Sequence, residues 1–199
     1  MLALALTTGC SNPYAGGNTG PSFADYFPYR DDFVTHFVLE GQRDGPEVLL
    51  SRESTDQDHT EIRFEHSAGG ELLISQRRDP DTVYWTDIAL KSAESWPPGP
   101  SAFLDWRVPV AHRDQEVGEI LEFEEDDLIW TSELVSEESC RGYDAEDEPF
   151  SCRVYVFEGQ RGEERFVGEL WTAALIGPLR FWLGTEPGQL WLQTYIESD

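Results

Sequence analysis

The chain has 199 residues, 39% of them hydrophobic and 13% aromatic, and this size suits one domain with a sizeable core. Its 39 Asp and Glu residues face 14 Lys and Arg residues, which gives a formal net charge of −25. Such a surface excludes nucleic acid as a partner, because phosphate contacts require clustered Lys and Arg.

Three interpretations of the acidity stay open. Lys91 is the only lysine, and an acidic surface with scarce lysine suits a salt-adapted, halophilic organism because salt screens like-charge repulsion. The same carboxylates suit cation binding. They also favour solubility without any further role.

The first ten residues, MLALALTTGC, place a short apolar run and small residues before Cys10. This order resembles the lipobox of bacterial lipoprotein signal peptides, in which the cysteine is diacylated and becomes the new N-terminus. The resemblance implies a lipid anchor on Cys10 and a place in the cell envelope, at the outer membrane. No Lys or Arg precedes the apolar run, and the run is shorter than the usual 7–15 residues. A start codon placed too far downstream would explain both departures, and a chance cysteine is the alternative.

Residues 11–24, SNPYAGGNTGPSFA, carry no charge and are rich in Gly, Pro, Ser and Asn. Such a segment cannot bury enough apolar surface to fold, so we expect a flexible tether. The predicted organisation is a signal peptide at 1–9, an acylated cysteine with its tether at 10–24, and one acidic domain at 25–199.

The three cysteines agree with this organisation. If Cys10 is acylated, Cys140 and Cys152 remain as a pair around a polar loop. A disulfide between them would stabilise the domain by roughly 3 kcal/mol and would persist only outside the reducing cytosol. No CxxC or HxxxH spacing accompanies them, which argues against zinc.

The rest of the chain is predicted to form strands. Residues 60–66 alternate polar and apolar side chains with the period of two of a half-buried strand. About eleven strands with short connections predict a mostly antiparallel, all-β domain, either a strongly curved open sheet (an incomplete barrel) or a two-sheet sandwich. The runs that favour strands are 33–39, 48–52, 60–66, 71–76, 83–90, 103–110, 119–123, 128–135, 153–157, 165–171, 179–183 and 190–196.

Two short motifs resemble a family of exported bacterial lipoproteins. Tyr26-Phe27-Pro28-Tyr29 is similar to their "YFPL…WxY" opening, and residues 171–180, WTAALIGPLR, are similar to their "WxAxGVGxVK" segment. The resemblance implies export and the curved half-barrel of periplasmic lipoprotein and lipid carriers.

Three residues suggest an acid–base site. His36 and His66 lie on apolar strand faces, and Asp87 is in register with Val83 and Trp85. Two histidines and an orienting carboxylate could serve a hydrolase if they converged. Ordinary hydrogen bonding or exposure at a wet rim is the alternative.

The loop between Cys140 and Cys152 suggests a cation site. Ca²⁺ takes six to eight oxygen ligands, and the loop offers the carboxylates of Asp144, Glu146, Asp147 and Glu148. A solvated, salt-screened loop is the alternative.

The tryptophans suggest a ligand surface. Trp85, Trp171 and Trp191 alternate with small or polar neighbours and are predicted to line the concave face of the sheet. The expected function is a non-catalytic binding or scaffold module of the cell envelope. The alternatives are a carrier of lipid or another apolar ligand, and a hydrolase.

Overall fold

A computed structural model of the chain describes residues 21–27, 33–40, 42, 45–56, 58–67, 69–91, 107–141, 149–184 and 191–198. Cys10 and the first ten residues of the predicted tether lie outside these ranges.

Within the described residues the chain forms twelve strands, every paired neighbour antiparallel, and one short 3₁₀ helix at Phe23–Tyr26. The predicted all-β fold is confirmed. The strands are β1 (Phe33–Leu39), β2 (Glu47–Ser54), β3 (His59–His66), β4 (Glu71–Arg78), β5 (Thr82–Lys91), β6 (Val108–His112), β7 (Ile120–Glu125), β8 (Leu128–Cys140), β9 (Phe150–Arg161), β10 (Glu164–Ala173), β11 (Gly177–Gly184) and β12 (Trp191–Ser198).

The strand order is β6-β5-β4-β3-β2-β1-β12-β11-β10-β9-β8-β7, so two six-strand meanders are joined where β1 pairs with β12. The sheet curves until its two halves face each other across one core. Phe64 of β3 lies 4.7 Å from Phe181 of β11, centroid to centroid, and Trp85 of β5 lies 6.0 Å from Trp130 of β8. No backbone ladder joins β6 to β7 in the described part of the chain, so the sheet stays open.

Strict alternation on β3 shows how the sequence produces this arrangement. Ile62 and Phe64 are buried on the inner face, while Arg63 lies on the outer face between acidic neighbours. Its guanidinium nitrogens lie 3.3 Å from a carboxylate oxygen of Glu61 and 3.0 Å from one of Glu71. Because successive side chains of a strand point to opposite faces, one segment supplies both core and charged surface.

Side chains close the open edge where a backbone ladder is missing. The indole Nε1 of Trp130 on β8 donates to the carbonyl of Pro109 on β6, at 2.8 Å, and Ser132 Oγ donates to the carbonyl of Val110. We call this contact between β6 and β8 the seam. Both donors and both carbonyls would otherwise remain unpaired in a buried region, which costs free energy.

Gln115, in the loop between β6 and β7, completes the seam. It is only 4% exposed, and its Oε1 accepts from the backbone N–H of His112 at 3.3 Å. Its Nε2 donates to the carbonyls of Glu119, at 3.0 Å, and Ser132, at 3.4 Å. One amide side chain therefore serves the end of β6, the loop and β8.

The N-terminal cap, residues 22–27, covers one end of the core. Asp25 accepts hydrogen bonds from the backbone N–H and the hydroxyl of Ser22, which fixes the 3₁₀ helix. Phe23, Tyr26 and Phe27 are buried. The apolar ring of Phe23 packs into the core together with Tyr26 and Phe27.

The predicted disulfide is present and joins Cys140, at the end of β8, to Cys152 on β9, with their Cα atoms 5.8 Å apart. Both residues are buried in a small cluster on the outer face with Ala173 and Leu179. The disulfide thus lies at the loop end of the β8–β9 hairpin and packs against residues of β10 and β11.

We expect Gln115→Ala to lower the free energy of unfolding by about 1–3 kcal/mol, because it removes the Gln115 hydrogen bonds to the Ser132 carbonyl and the His112 N–H in a buried seam. The Glu119 carbonyl loses one partner but keeps its hydrogen bond from the Leu134 N–H. Denaturant titration of both proteins measures the difference. Gln160→Ala is the matched control, since Gln160 is exposed and its side chain bonds only to the Gly162 carbonyl among described residues. Equal losses from the two variants would contradict a structural role for the seam.

Candidate functional site

The interior between the two halves of the sheet is the first candidate, because a carrier would hold its ligand there. Trp85 occupies its centre, 3% exposed, with its ring 4.8 Å from Phe157 and 6.5 Å from Phe166. Trp130 stacks on the same two phenylalanines, at interplanar angles of 24° and 18°. We call this group of rings the aromatic interior; it fills the space that a curved sheet could otherwise offer to a ligand.

Gly159 makes this packing possible. It lies directly across from Trp130 in the β8–β9 ladder, and a Cβ there would lie 2.8 Å from Trp130 Cε3. The absence of a side chain lets the indole lie flat on β9. The sequence signal was a lone glycine within a strand, which often marks a close approach of another group.

The space that remains is small. A cavity of about 30 Å³ lies beneath the N-terminal cap, room for roughly one water. Its lining includes Phe27, Arg52, Gln76 and Thr172 besides Trp85. Arg52 is 7% exposed and Gln76 4% exposed. The burial of neither residue was predicted from the sequence, although Arg52 continues the inward alternation of Val48 and Leu50.

The structure does not bring the two histidines and Asp87 together. His66 pairs with Val48, which pairs with Phe37, and this row faces the core. His36 pairs with Leu49, which pairs with Glu65, on the outer face. The two imidazoles therefore lie on opposite faces of the sheet, as the period of two requires.

Asp87 is also distant from both histidines. It pairs with Ser75, which pairs with Glu61, in an outer-face row. Four strand spacings separate β5 from β1, or about 19 Å. The geometry offers no acid–base triad from these residues.

Each histidine has its own surroundings. His36 is 8% exposed, and its Nδ1 lies 3.9 Å from Glu47 Oε2. His66 packs edge-on against Trp191, with ring centroids 5.5 Å apart. Burial lowers the pKa of His66 below its usual value, so the neutral imidazole is favoured.

The three predicted ligand tryptophans divide between the faces. Trp85 and Trp191 are buried in the core. Trp171 lies on the outer face, because its neighbours Leu170 and Thr172 are the buried inward pair. There the Arg180 guanidinium lies 5.0 Å from the indole centroid, and the indole Nε1 donates to Glu169. Trp171 packs on the disulfide cluster instead of lining a concave face.

A polar cluster lies under the cap and was not predicted from the sequence. The guanidinium of Arg153 on β9 lies 5.0 Å from the Tyr26 ring centroid and 2.7 Å from Glu137. Tyr26 shares a 2.8 Å hydroxyl hydrogen bond with Ser151, and Thr172 donates to the Tyr26 carbonyl. The aromatic pair of the Tyr26-Phe27 motif thus locks the cap onto β9 and β10.

The pKa values of Arg153 and Tyr155 do not suit this cluster to acid–base chemistry near neutral pH. Burial raises the pKa of Tyr155 to about 12, although Arg153 opposes the shift, so the phenol stays neutral near pH 7. Burial by itself would lower the pKa of Arg153, but Tyr155 and Glu137 outweigh it and the pKa is raised. A permanently charged guanidinium beside a neutral phenol cannot exchange a proton with a substrate near neutral pH.

The acidic residues Asp144, Glu146, Asp147 and Glu148 lie outside the described residues, so their cation site stays a prediction. Among the residues that are described, no group of three or more His, Cys, Asp or Glu side chains is placed to hold a metal ion. No helix in the same ranges is long and apolar enough to cross a membrane.

Comparison with known proteins gives no match: no family model, no curated protein and no solved structure aligns significantly with the chain. We therefore infer a function from the chemistry of the described residues alone. In the part of the chain that the structure describes, the interior is filled and the two histidines are separated, so the charged outer face of the sheet is the remaining candidate surface.

The lowered pKa of the buried His66 predicts that the free energy of unfolding depends on pH. The unfolded chain binds a proton at His66 near pH 6.5, whereas the folded chain resists it because its pKa is lowered. The stability that His66 contributes is therefore complete above about pH 6.5 and falls as the pH drops through that value towards the folded pKa. Denaturant titrations of wild type and His66→Gln from about pH 8 to about pH 5 measure this, since the shared carboxylates cancel. A difference in stability that does not change with pH would contradict the prediction.

The disulfide makes a second prediction. Replacing Cys140 and Cys152 together by serine should lower the free energy of unfolding by roughly 3 kcal/mol, because the unfolded chain gains the freedom of the open loop. Thermal unfolding of the variant, and of wild type with and without a thiol reductant, tests this. The reduced wild type and the double variant should agree within about 1 kcal/mol.

Proposed function

We propose that this protein is a non-catalytic, lipid-anchored module of the bacterial cell envelope that acts by binding a partner through its surface. The observation that carries the proposal is the filled aromatic interior around Trp85 and Trp130. A domain whose interior holds its own side chains has its outer surface left for recognition.

The compartment is supported by two independent features. Small residues before Cys10 and an uncharged segment after it form the order of an acylated cysteine and its tether. The disulfide between Cys140 and Cys152 suits an oxidising compartment, since such bonds are rare in the cytosol. Together they favour the envelope over the cytosol.

The interior geometry favours the module over a lipid carrier. Sites for drug-sized ligands have volumes of about 300–1,000 Å³, whereas the cavity beneath the cap is about 30 Å³. The lining of that cavity is mostly apolar, so its small volume, and not its polarity, argues against a carrier. The separation of His36, His66 and Asp87 gives no support to a hydrolase.

Intact-protein mass spectrometry of the protein expressed from its own gene in its own host, where an upstream start codon would also be used, tests the anchor. We expect a diacylglyceryl mass on Cys10 and recovery with the membrane fraction, because acyl chains supply membrane affinity of about 0.8 kcal/mol per buried CH₂. Cys10→Ala should appear in the soluble fraction without that mass.

Two results would contradict the proposal. An unmodified chain that retains Met1 would exclude the lipid anchor. A lipid that co-purifies with Cys10→Ala in native mass spectrometry would favour the carrier, because that variant has no acyl chain of its own.

A further inference from the structure

One row of side chains crosses the outer face of the second meander. The ladders pair Ile120 of β7 with Glu133 of β8, Glu133 with Val156 of β9, Val156 with Glu169 of β10, and Glu169 with Trp182 of β11. Apolar and acidic side chains therefore alternate from strand to strand. We call these five residues the outer-face row; at about 4.8 Å per strand it is roughly 19 Å long.

The apolar members of this surface are unusually exposed. Ile120 is 49% exposed and Val156 37%, and nearby Ile129 of β8 and Val117, just before β7, are 53% and 57% exposed. Only one other large hydrophobic side chain in the described ranges, Leu175, is comparably exposed. Apolar exposure concentrated on one face is typical of an interaction surface, whereas scattered single residues are not.

The surroundings of the row are strongly negative. Residues 114–140 contain eleven Asp or Glu and no Lys or Arg. Glu122 and Glu124 of β7 are exposed beside the row. Of the nearby arginines, Arg161 pairs with Asp127 at 3.4 Å and Arg165 with Glu158 at 2.9 Å. Arg180, two residues from Trp182, lies over the Trp171 ring and donates to the Arg141 carbonyl. An anionic partner, and a second copy of this acidic chain, would both be repelled.

The spacing of the row points to a helix. A strand spacing of about 4.8 Å is close to the 5.4 Å pitch of an α-helix, so a helix lying across the strands sets one turn over each row member. Leucines could then contact Ile120, Val156 and Trp182, and lysines or arginines on the intervening turns could contact Glu133 and Glu169. The glutamates on β7 oppose the alternative of an added strand at that edge.

We propose that the outer-face row docks a basic α-helix of a partner polypeptide, whose contact face alternates an apolar side chain with a lysine or arginine from one turn to the next. The inference deepens the proposed function and rests on it, since it names the surface and the partner chemistry of the binding module. Anchoring is a separate matter, because the mass of Cys10 reports on the anchor whether or not this surface binds.

A synthetic helical peptide of about 18 residues, with leucine and lysine alternating from turn to turn along one face, tests the proposal by its binding to the full chain. We call it the Leu/Lys peptide. We expect binding that weakens as salt rises, since opposite charges meet at the surface. Ile120→Ser with Val156→Ser should weaken it roughly tenfold, because both apolar contacts are lost. Glu133→Gln with Glu169→Gln should weaken it roughly fivefold and reduce the salt dependence.

Matched controls separate docking from general attraction to a chain of charge −25. Glu53→Gln with Glu65→Gln removes the same charge from the other half of the sheet, and Leu175→Ser removes an exposed leucine outside the row. Both should bind the Leu/Lys peptide as wild type does, and a Ser/Lys peptide should bind wild type at least tenfold more weakly. Equal weakening by the two charge variants, or equal affinity for both peptides, would overturn the proposal. Circular dichroism verifies that every variant is folded.

Discussion

A sheet of twelve twisted strands can bury its apolar face only by folding onto itself, and this constraint governs the whole domain. Each meander offers one inward face of aromatic and aliphatic side chains, and in the described ranges neither has a further layer to pack against. The join of β1 to β12 brings the two faces together. The rings of Trp85, Trp130, Phe157 and Phe166 then fill the centre, and the seam between β6 and β8 satisfies polar groups that no ladder reaches.

The same constraint assigns different tasks to the two faces. The aromatic side chains of the inner face stabilise the fold. A tryptophan such as Trp85 therefore packs in the core and is not exposed to a ligand. The charge is left for the outside, where Arg63 is surrounded by Glu61, Glu65 and Glu71. In the described strands the acidic side chains around Arg63 therefore lie on the outer face.

Much of the fold could be predicted from the sequence, because alternation reports directly on which face a side chain takes. The bounds predicted for β1 agree with the structure, and the disulfide was predicted from the odd number of cysteines. Facing partners could not be predicted, since they depend on curvature and register. The inward position of Leu170 and Thr172 turns Trp171 outward, and Arg153 lies under Tyr26 because the cap folds back over β9. Such contacts join residues more than a hundred positions apart.

The N-terminal cap has a mechanical consequence. Any tension transmitted along the chain that precedes Pro21 reaches residues 22–27 before it reaches a strand. The load then falls on a few transverse hydrogen bonds, from Thr172 and Arg78 to carbonyls of the cap and from Leu175 N–H to Asp25. These hydrogen bonds would break one at a time, whereas the many hydrogen bonds of the β9–β10 ladder would have to break together. A force applied at Pro21 would therefore detach the cap first and expose the rings beneath it to water, while the strand ladders are still intact.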